Sequence, residues 1–162
     1  MNGNTWRFAS RIVLAVVLFA LVATTVESKE PALPRDFRSW THVKSMVVTD
    51  PDHGMYGFHN VYANKAAAKV LRAGAEKPKY DEGAQFVVSI YEVETKNGMV
   101  GAGLKRRDVV KTKDRTATDT GGWRFAAFDP AGRPLAIDPV GDCFGCHARA
   151  KDTDLVFSEF AR

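Results

Sequence analysis

Alternating apolar and polar positions mark out strands along most of this chain. From Val43 to Thr49 (VKSMVVT) the β-branched content predicts one strand, and GFHNVYAN, 57–64, alternates well enough for a second. Between them DPDHG, 50–54, is turn chemistry. The period then changes. In KAAAKVLRAG, 65–74, Ala66, Ala67, Val70 and Leu71 fall on one side of a helix, with Asn64 as N-cap and Gly74 at C′. AQFVVSIYEVET, 84–95, is the strongest strand signal in the chain. Lys96-Asn97-Gly98 follows it as a hairpin turn, because Asn-Gly tolerates the positive φ such turns need. Residues 105–113 and 123–128 (WRFAAF) predict two more strands, and DPAGRP after Phe128 another turn. Asp36 is placed to cap a short helical turn running to Trp40. The pattern therefore predicts an α+β fold: a predominantly antiparallel β-sheet with one packed helix, closed by a C-terminal helical segment.

The first thirty residues do not fit that scheme. Arg7 and Arg11 precede an unbroken apolar run of twelve, Ile12 to Ala23, followed by small residues. This is the form of a secretory signal peptide, and Val26 and Ser28 suit the −3 and −1 positions of a cleavage site after Ser28. A membrane span needs roughly 20 apolar residues, so no stable span is expected, although an uncleaved N-terminal anchor is the alternative. The expected division is a signal peptide at 1–28 and a single domain at 29–162, exported to the periplasm.

Composition changes this picture little. Without Arg7, Arg11 and Glu27 the chain keeps 21 basic and 18 acidic side chains, a net +3. So mild an excess does not argue for nucleic acid as a partner. A domain of this size holds a core without staples, so two cysteines are too few to be a disulfide scaffold. Their purpose is chemical.

Both lie in GDCFGCHARAKD, 141–152, three residues apart, with His147 directly after the second. A thiol oxidoreductase site would follow an early strand and open a helix in a βαβ pattern, which is absent here. Zinc would need Cys143, Cys146 and His147 to converge, yet neighbours on a helix point about 100° apart. The fourth ligand would have to be His42, His53 or His59. Covalent haem meets neither objection. Cysteines at i and i+3 reach two vinyl groups on one porphyrin edge, while the next residue points toward the ring centre as iron ligand. The reading is one haem c, attached through Cys143 and Cys146, with His147 on the iron. Ten Phe, four Tyr and three Trp suit a porphyrin face, though Phe86, Trp123, Phe125 and Phe128 read individually as sheet core.

A β-rich chain with its haem motif at the C-terminus resembles the cytochrome P-460 family, which includes the cytochromes c′-beta. The resemblance rests on RSWTHVKSM (38–46), HNVYAN (59–64), EGA (82–84), GGWRFAAF (121–128), CFGCH (143–147) and DLVFS (154–158). It implies a haem lying against one sheet, an iron with an open distal face, and commonly a homodimer. The namesake enzymes cross-link a lysine to the porphyrin and oxidise hydroxylamine; c′-beta members place phenylalanine there and bind nitric oxide and similar gases. Carried along the central strand, the lysine position falls on Val88, which has no amine; Lys79 and Lys96 are the nearest lysines in sequence. The family's acidic pocket residue maps near Asp108. The strand reaching the distal pocket carries Tyr56 and His59, and His59 is read either as sixth ligand, hydrogen-bond donor or proton shuttle, or as an ordinary strand histidine.

His42 and His53 are read as structural or surface residues, and Met46, Met55 and Met99 as possible axial thioethers, against which the resemblance argues. The basic run Lys105, Arg106, Arg107, Lys111, Lys113 and Arg115 could dock an acidic redox partner or hold haem propionates. The favoured reading is the solvated side of a strand. Together these readings describe a periplasmic mono-haem c-type cytochrome that binds a small gaseous or nitrogen-oxide ligand, passes electrons to a partner protein, or both. The alternative is a hydroxylamine- or peroxide-oxidising enzyme on the same scaffold, and a distant one a haem-free thiol oxidoreductase.

Overall fold

The computed structural model describes residues 31–161. The expected signal peptide lies outside the described residues. Six strands form one sheet in sequence order, each antiparallel to the next: β1 (Thr41–Val48), β2 (Gly57–Ala63), β3 (Gln85–Lys96), β4 (Met99–Lys113), β5 (Trp123–Phe128) and β6 (Pro134–Leu135). A helix, α1 (Lys65–Ala73), crosses from β2 toward β3, and a helical segment at 139–153 closes the fold. The α+β class expected from the pattern is the one observed.

Turn chemistry sets most of this order. Asn97 and Gly98 both have positive φ (53° and 76°), the pairing that matches the twist of a tight hairpin. Helix α1 starts where Asn64 Oδ1 accepts the Ala67 N–H at 3.0 Å and stops where Gly74 turns left-handed at φ 62°. Its buried face differs by one residue from the expected one: Ala67 and Ala68 are buried and Ala66 is exposed. The Asp36 carboxylate caps no backbone N–H; it accepts the Trp40 indole N–H at 3.3 Å, beside a 3-10 turn at Phe37–Ser39.

Period-two alternation divides the sheet into two faces. On one, Phe37 packs with Val87, Val110, Ala126 and Phe128. On the other lies the larger core, in which Val43, Val61, Phe86, Trp123 and Phe125 meet α1 and the C-terminal Leu155 and Val156. The register puts Val61, Val88 and Val109 side by side across β2, β3 and β4, with Phe86, Lys111 and Phe125 in the next row. The Cys-x-x-Cys-His segment comes to rest over this second face.

Candidate functional site

The segment carrying the cysteines is anchored at its start. Asp138 Oδ1 accepts the Val140 N–H at 3.0 Å while the Asp138 N–H is accepted by Asp142 Oδ2 at 2.8 Å. These bonds start a π turn, Pro139–Phe144, which passes into one α turn, Gly145–His147, and a 3-10 stretch, Ala148–Thr153. Within the motif Phe144 and Cys143 pack on the larger core, whereas Cys146 is exposed. Gly121 makes the close approach of this segment possible. A Cβ there would lie 2.7 Å from Leu155 Cδ1 and 3.1 Å from the Phe144 ring.

Between segment and sheet is a cavity of about 340 Å³. Its sheet wall is mainly apolar, with Val61, Phe86, Val88, Val109 and Phe125 contributing beside Lys44 and Lys111. Cys143, Cys146 and His147 line the opposite side, and Met46, His53, Met55 and His59 one end. The side chain of Val88, on the strand position singled out by the resemblance, faces this cavity.

His147 is held in one orientation. Its ring sits between Phe125 and Phe157, with centroids 5.3 and 5.1 Å away, and its Nδ1–H is donated to the Leu155 carbonyl at 2.7 Å. That bond fixes the tautomer and leaves Nε2 unprotonated. Burial, reinforced by the nearby Lys111 ammonium and opposed by the Leu155 bond, brings the His147 pKa down to about 4, so the ring is neutral at pH 7. The thiol chemistry points the same way. Burial, then the neighbouring Asp142, pushes the Cys143 thiol up to about 11, the reverse of the low pKa that a thiol oxidoreductase needs. Among the described residues no three His, Cys, Asp or Glu side chains converge as a zinc site would require.

His59 is 1% exposed and lines the cavity. Its Nε2–H is donated to the Met55 carbonyl at 2.6 Å, and its Nδ1 has no partner among the described residues. A carbonyl only accepts, so the free Nδ1 is a lone pair. Burial lowers the His59 pKa against the effect of that carbonyl, with Arg107 and His53 adding to the lowering. The neutral ring offers an acceptor rather than a donor.

Several candidates fall elsewhere. Tyr56 is not among the residues around the cavity; its carbonyl accepts Arg106 at 2.6 Å and its ring lies 5.7 Å from that guanidinium. Asp108 is fully buried on the opposite face of the sheet, where it accepts Ser89 Oγ at 2.7 Å and pairs with Lys105 at 2.5 Å. Met99 is 68% exposed at the hairpin tip and does not line the cavity. His42 is a surface residue bonded to Ser45, but His53 reaches the cavity rim. Neither Lys79 nor Lys96 lines the cavity; Lys44 and Lys111 do.

The basic run is not the solvated side of a strand throughout. Lys111 and Lys113 are 6% and 8% exposed, both stacked on Trp123 with Nζ 4.2 and 4.8 Å from the ring centroid. Arg106 and Arg107 bond the carbonyls of Tyr56 and Gly54 and so hold the 50–56 loop against β4. Parity with Val109 puts Lys111 and Lys113 on the core face, but nothing local in sequence shows that Trp123 and the 154–155 turn cover them.

Fold and site together define a β-sheet cytochrome: an apolar, sheet-backed cavity faced by two free thiols and a neutral histidine with one nitrogen open. The chain matches the Cytochrome P460 family over residues 34–158, most of its length, and it belongs to that family. Membership makes it a haem-binding iron protein. No curated protein matches the chain.

Proposed function

We propose that this chain is an exported, single-haem c-type cytochrome with an open iron, binding a small nitrogen-oxide or gaseous ligand or passing single electrons to a partner protein. In this reading 1–28 is a cleaved signal peptide, 29–162 the working domain, and the periplasm its compartment. Cys143 and Cys146 hold the porphyrin by thioether bonds, and His147 Nε2 binds the iron. The observation that carries the reading is His147 itself, neutral, tethered through Nδ1 to Leu155, and set beside both thiols on an apolar cavity. Bound haem supplies an iron that changes oxidation state by one electron and takes a small ligand. The protein's own residues exclude water through Val61, Phe86, Val88 and Val109, and orient His147. A homodimer, as the resemblance implies, belongs to this proposal. The ribbon of β3 and β4 beyond the sheet, with Val100 and Leu104 exposed, is a surface it could use.

Oxidation of hydroxylamine is a second reading, favoured by one observation. The unpartnered His59 Nδ1 is a buried acceptor able to receive a proton from an N–H or O–H of a substrate. Val88, which has no amine, weighs against the cross-linked form of that chemistry.

The test is spectroscopic. Protein matured in a periplasm should give a pyridine haemochrome of the thioether-linked type. Replacing Cys143 and Cys146 by alanine should abolish it. A five-coordinate ferric spectrum is expected; a low-spin one would bring His59, Met46 or Met55 onto the iron. Absence of thioether-linked haem from the wild-type chain refutes the proposal.

A further inference from the structure

The proposed function gives no role to Lys111, the most costly side chain in the cavity wall. A lysine at this β4 position could be replaced by a methionine of similar length with less desolvation cost. Among the described residues Lys111 makes no ion pair; the nearby carboxylate of Asp154 is taken by Lys113 at 2.7 Å. Its Nζ is instead donated to the Leu155 carbonyl and stands 3.4 Å from His147 Nδ1. That carbonyl is the one that receives the His147 Nδ1–H. As an anchor for the turn at 154–155 Lys111 would be redundant, because Lys113 and the Tyr80 N–H already hold Asp154.

A carbonyl oxygen has two lone pairs, and here both are used. A histidine that donates Nδ1–H to a strong acceptor becomes a more basic metal ligand through its other nitrogen. A second donor on the same oxygen draws off part of that electron density and leaves the imidazole a weaker donor. Lys111 supplies an N–H to the carbonyl whether its amine is charged or neutral. We propose that Lys111 is a positioning residue for His147, sharing the Leu155 carbonyl so that the histidine binds iron less strongly and the ferrous state is favoured.

This inference rests on the haem c reading, and one experiment separates the two. The full chain, matured in a periplasm and checked by pyridine haemochrome, is compared with Lys111→Met and Lys111→Arg. Two quantities are read at one fixed pH: the midpoint potential by spectroelectrochemistry and the ferrous iron–histidine stretch by resonance Raman. Lys111→Met should move the ferrous/ferric equilibrium roughly tenfold toward ferric, about 59 mV for a one-electron couple, and raise the stretching frequency. Lys111→Arg, which keeps an N–H donor, should return both toward wild type. If Lys111→Met fails to retain haem, Lys111→Gln, too short to span to the carbonyl, is read by the same two criteria. Haem-loaded variants with wild-type potential and stretch overturn the inference, as does a Lys111→Arg protein displaced as far as Lys111→Met. A wild-type chain without thioether-linked haem overturns the cytochrome reading and this inference with it.

Discussion

Replacing Lys113 by methionine should cost about 3–5 kcal/mol of folding stability, a large part of what a domain of this size holds. Both charges of the Lys113–Asp154 pair are buried, with side-chain exposures of 10% and 11% and Nζ 2.7 Å from Oδ1. Among the described residues the second carboxylate oxygen accepts only the Tyr80 N–H, at 3.0 Å. Lys113→Met therefore leaves a carboxylate buried with one neutral donor. Burial alone would raise the Asp154 carboxyl, but Lys113 and the Tyr80 N–H outweigh it and hold the pKa below the ordinary 3.8. A carboxyl depressed in the folded state stabilises above its unfolded value and loses that contribution as pH falls. The deficit of Lys113→Met should accordingly be full at pH 7 and shrink below about pH 3.8. Adding Asp154→Asn removes the orphaned charge, keeps an acceptor for Tyr80, and suits φ 53°, a left-handed angle that asparagine tolerates. The double variant should lose less than Lys113→Met alone. Urea unfolding of haem-loaded protein, followed by tryptophan fluorescence and circular dichroism, measures Lys113→Met, Asp154→Asn and the double variant. A loss under about 1 kcal/mol for Lys113→Met, the worth of a surface pair, would refute the reasoning. So would a double variant whose loss equals the two single losses added together.

Two further outcomes test the frame around the site. Asp114 is held down to about 2 by the Thr116 hydroxyl and by Arg124, against a small effect of burial. Its contribution is present above 3.8 and lost as pH falls toward 2, so the melting temperature of the wild type should drop more steeply across that window than that of Asp114→Asn. Parallel curves would contradict it. Asn64→Ala removes one oxygen that accepts both Ala67 N–H (3.0 Å) and Gln85 N–H (3.1 Å). The lost cap and the stranded amide together should cost roughly 2–4 kcal/mol in urea unfolding. Asn64→Asp, which keeps the acceptor, should lose less than half as much.

How much of this was legible follows from where side-chain chemistry acts locally. The β3–β4 hairpin, the cap and stop of α1 and the strand order are set by residues adjacent in sequence, such as Asn97-Gly98 and Asn64. The start of β4 at Met99, ahead of the expected strand at 105–113, was not legible, since Gly101 and Gly103 have no side chains to mark an alternation. Register was partly legible. Counting back from the hairpin pair Lys96 and Met99 would set Val88 opposite Arg107, but two irregularities in β4 set it opposite Val109. Each one-residue slip reverses the faces, and two restore them. The count therefore assigns faces correctly while misplacing neighbours by one pair. It would already have put Asp108 on the Val87 and Ser89 face, away from the wall formed by Phe86 and Val88. That parity was the signal available against Asp108.

The anchor of His147 had no such signal. Leu155 presents its carbonyl because Asp154 and Leu155 are both left-handed, with φ of 53° and 63°. A leucine in that conformation is disfavoured by roughly 1–2 kcal/mol, and nothing in the letters DLVFS asks for it. The turn persists because distant residues hold it: Lys113 and the Tyr80 N–H, both on the Asp154 carboxylate. Two elements far apart in sequence, β4 through Lys111 and the Cys-x-x-Cys-His segment through His147, thus meet on one peptide oxygen, whose acceptor bond decides which nitrogen of His147 is free. The two cysteines and the histidine are readable because spacing alone brings them together. The chemistry that readies the histidine is written in β4, thirty-six to forty-four residues from the groups it positions, and only the fold joins them.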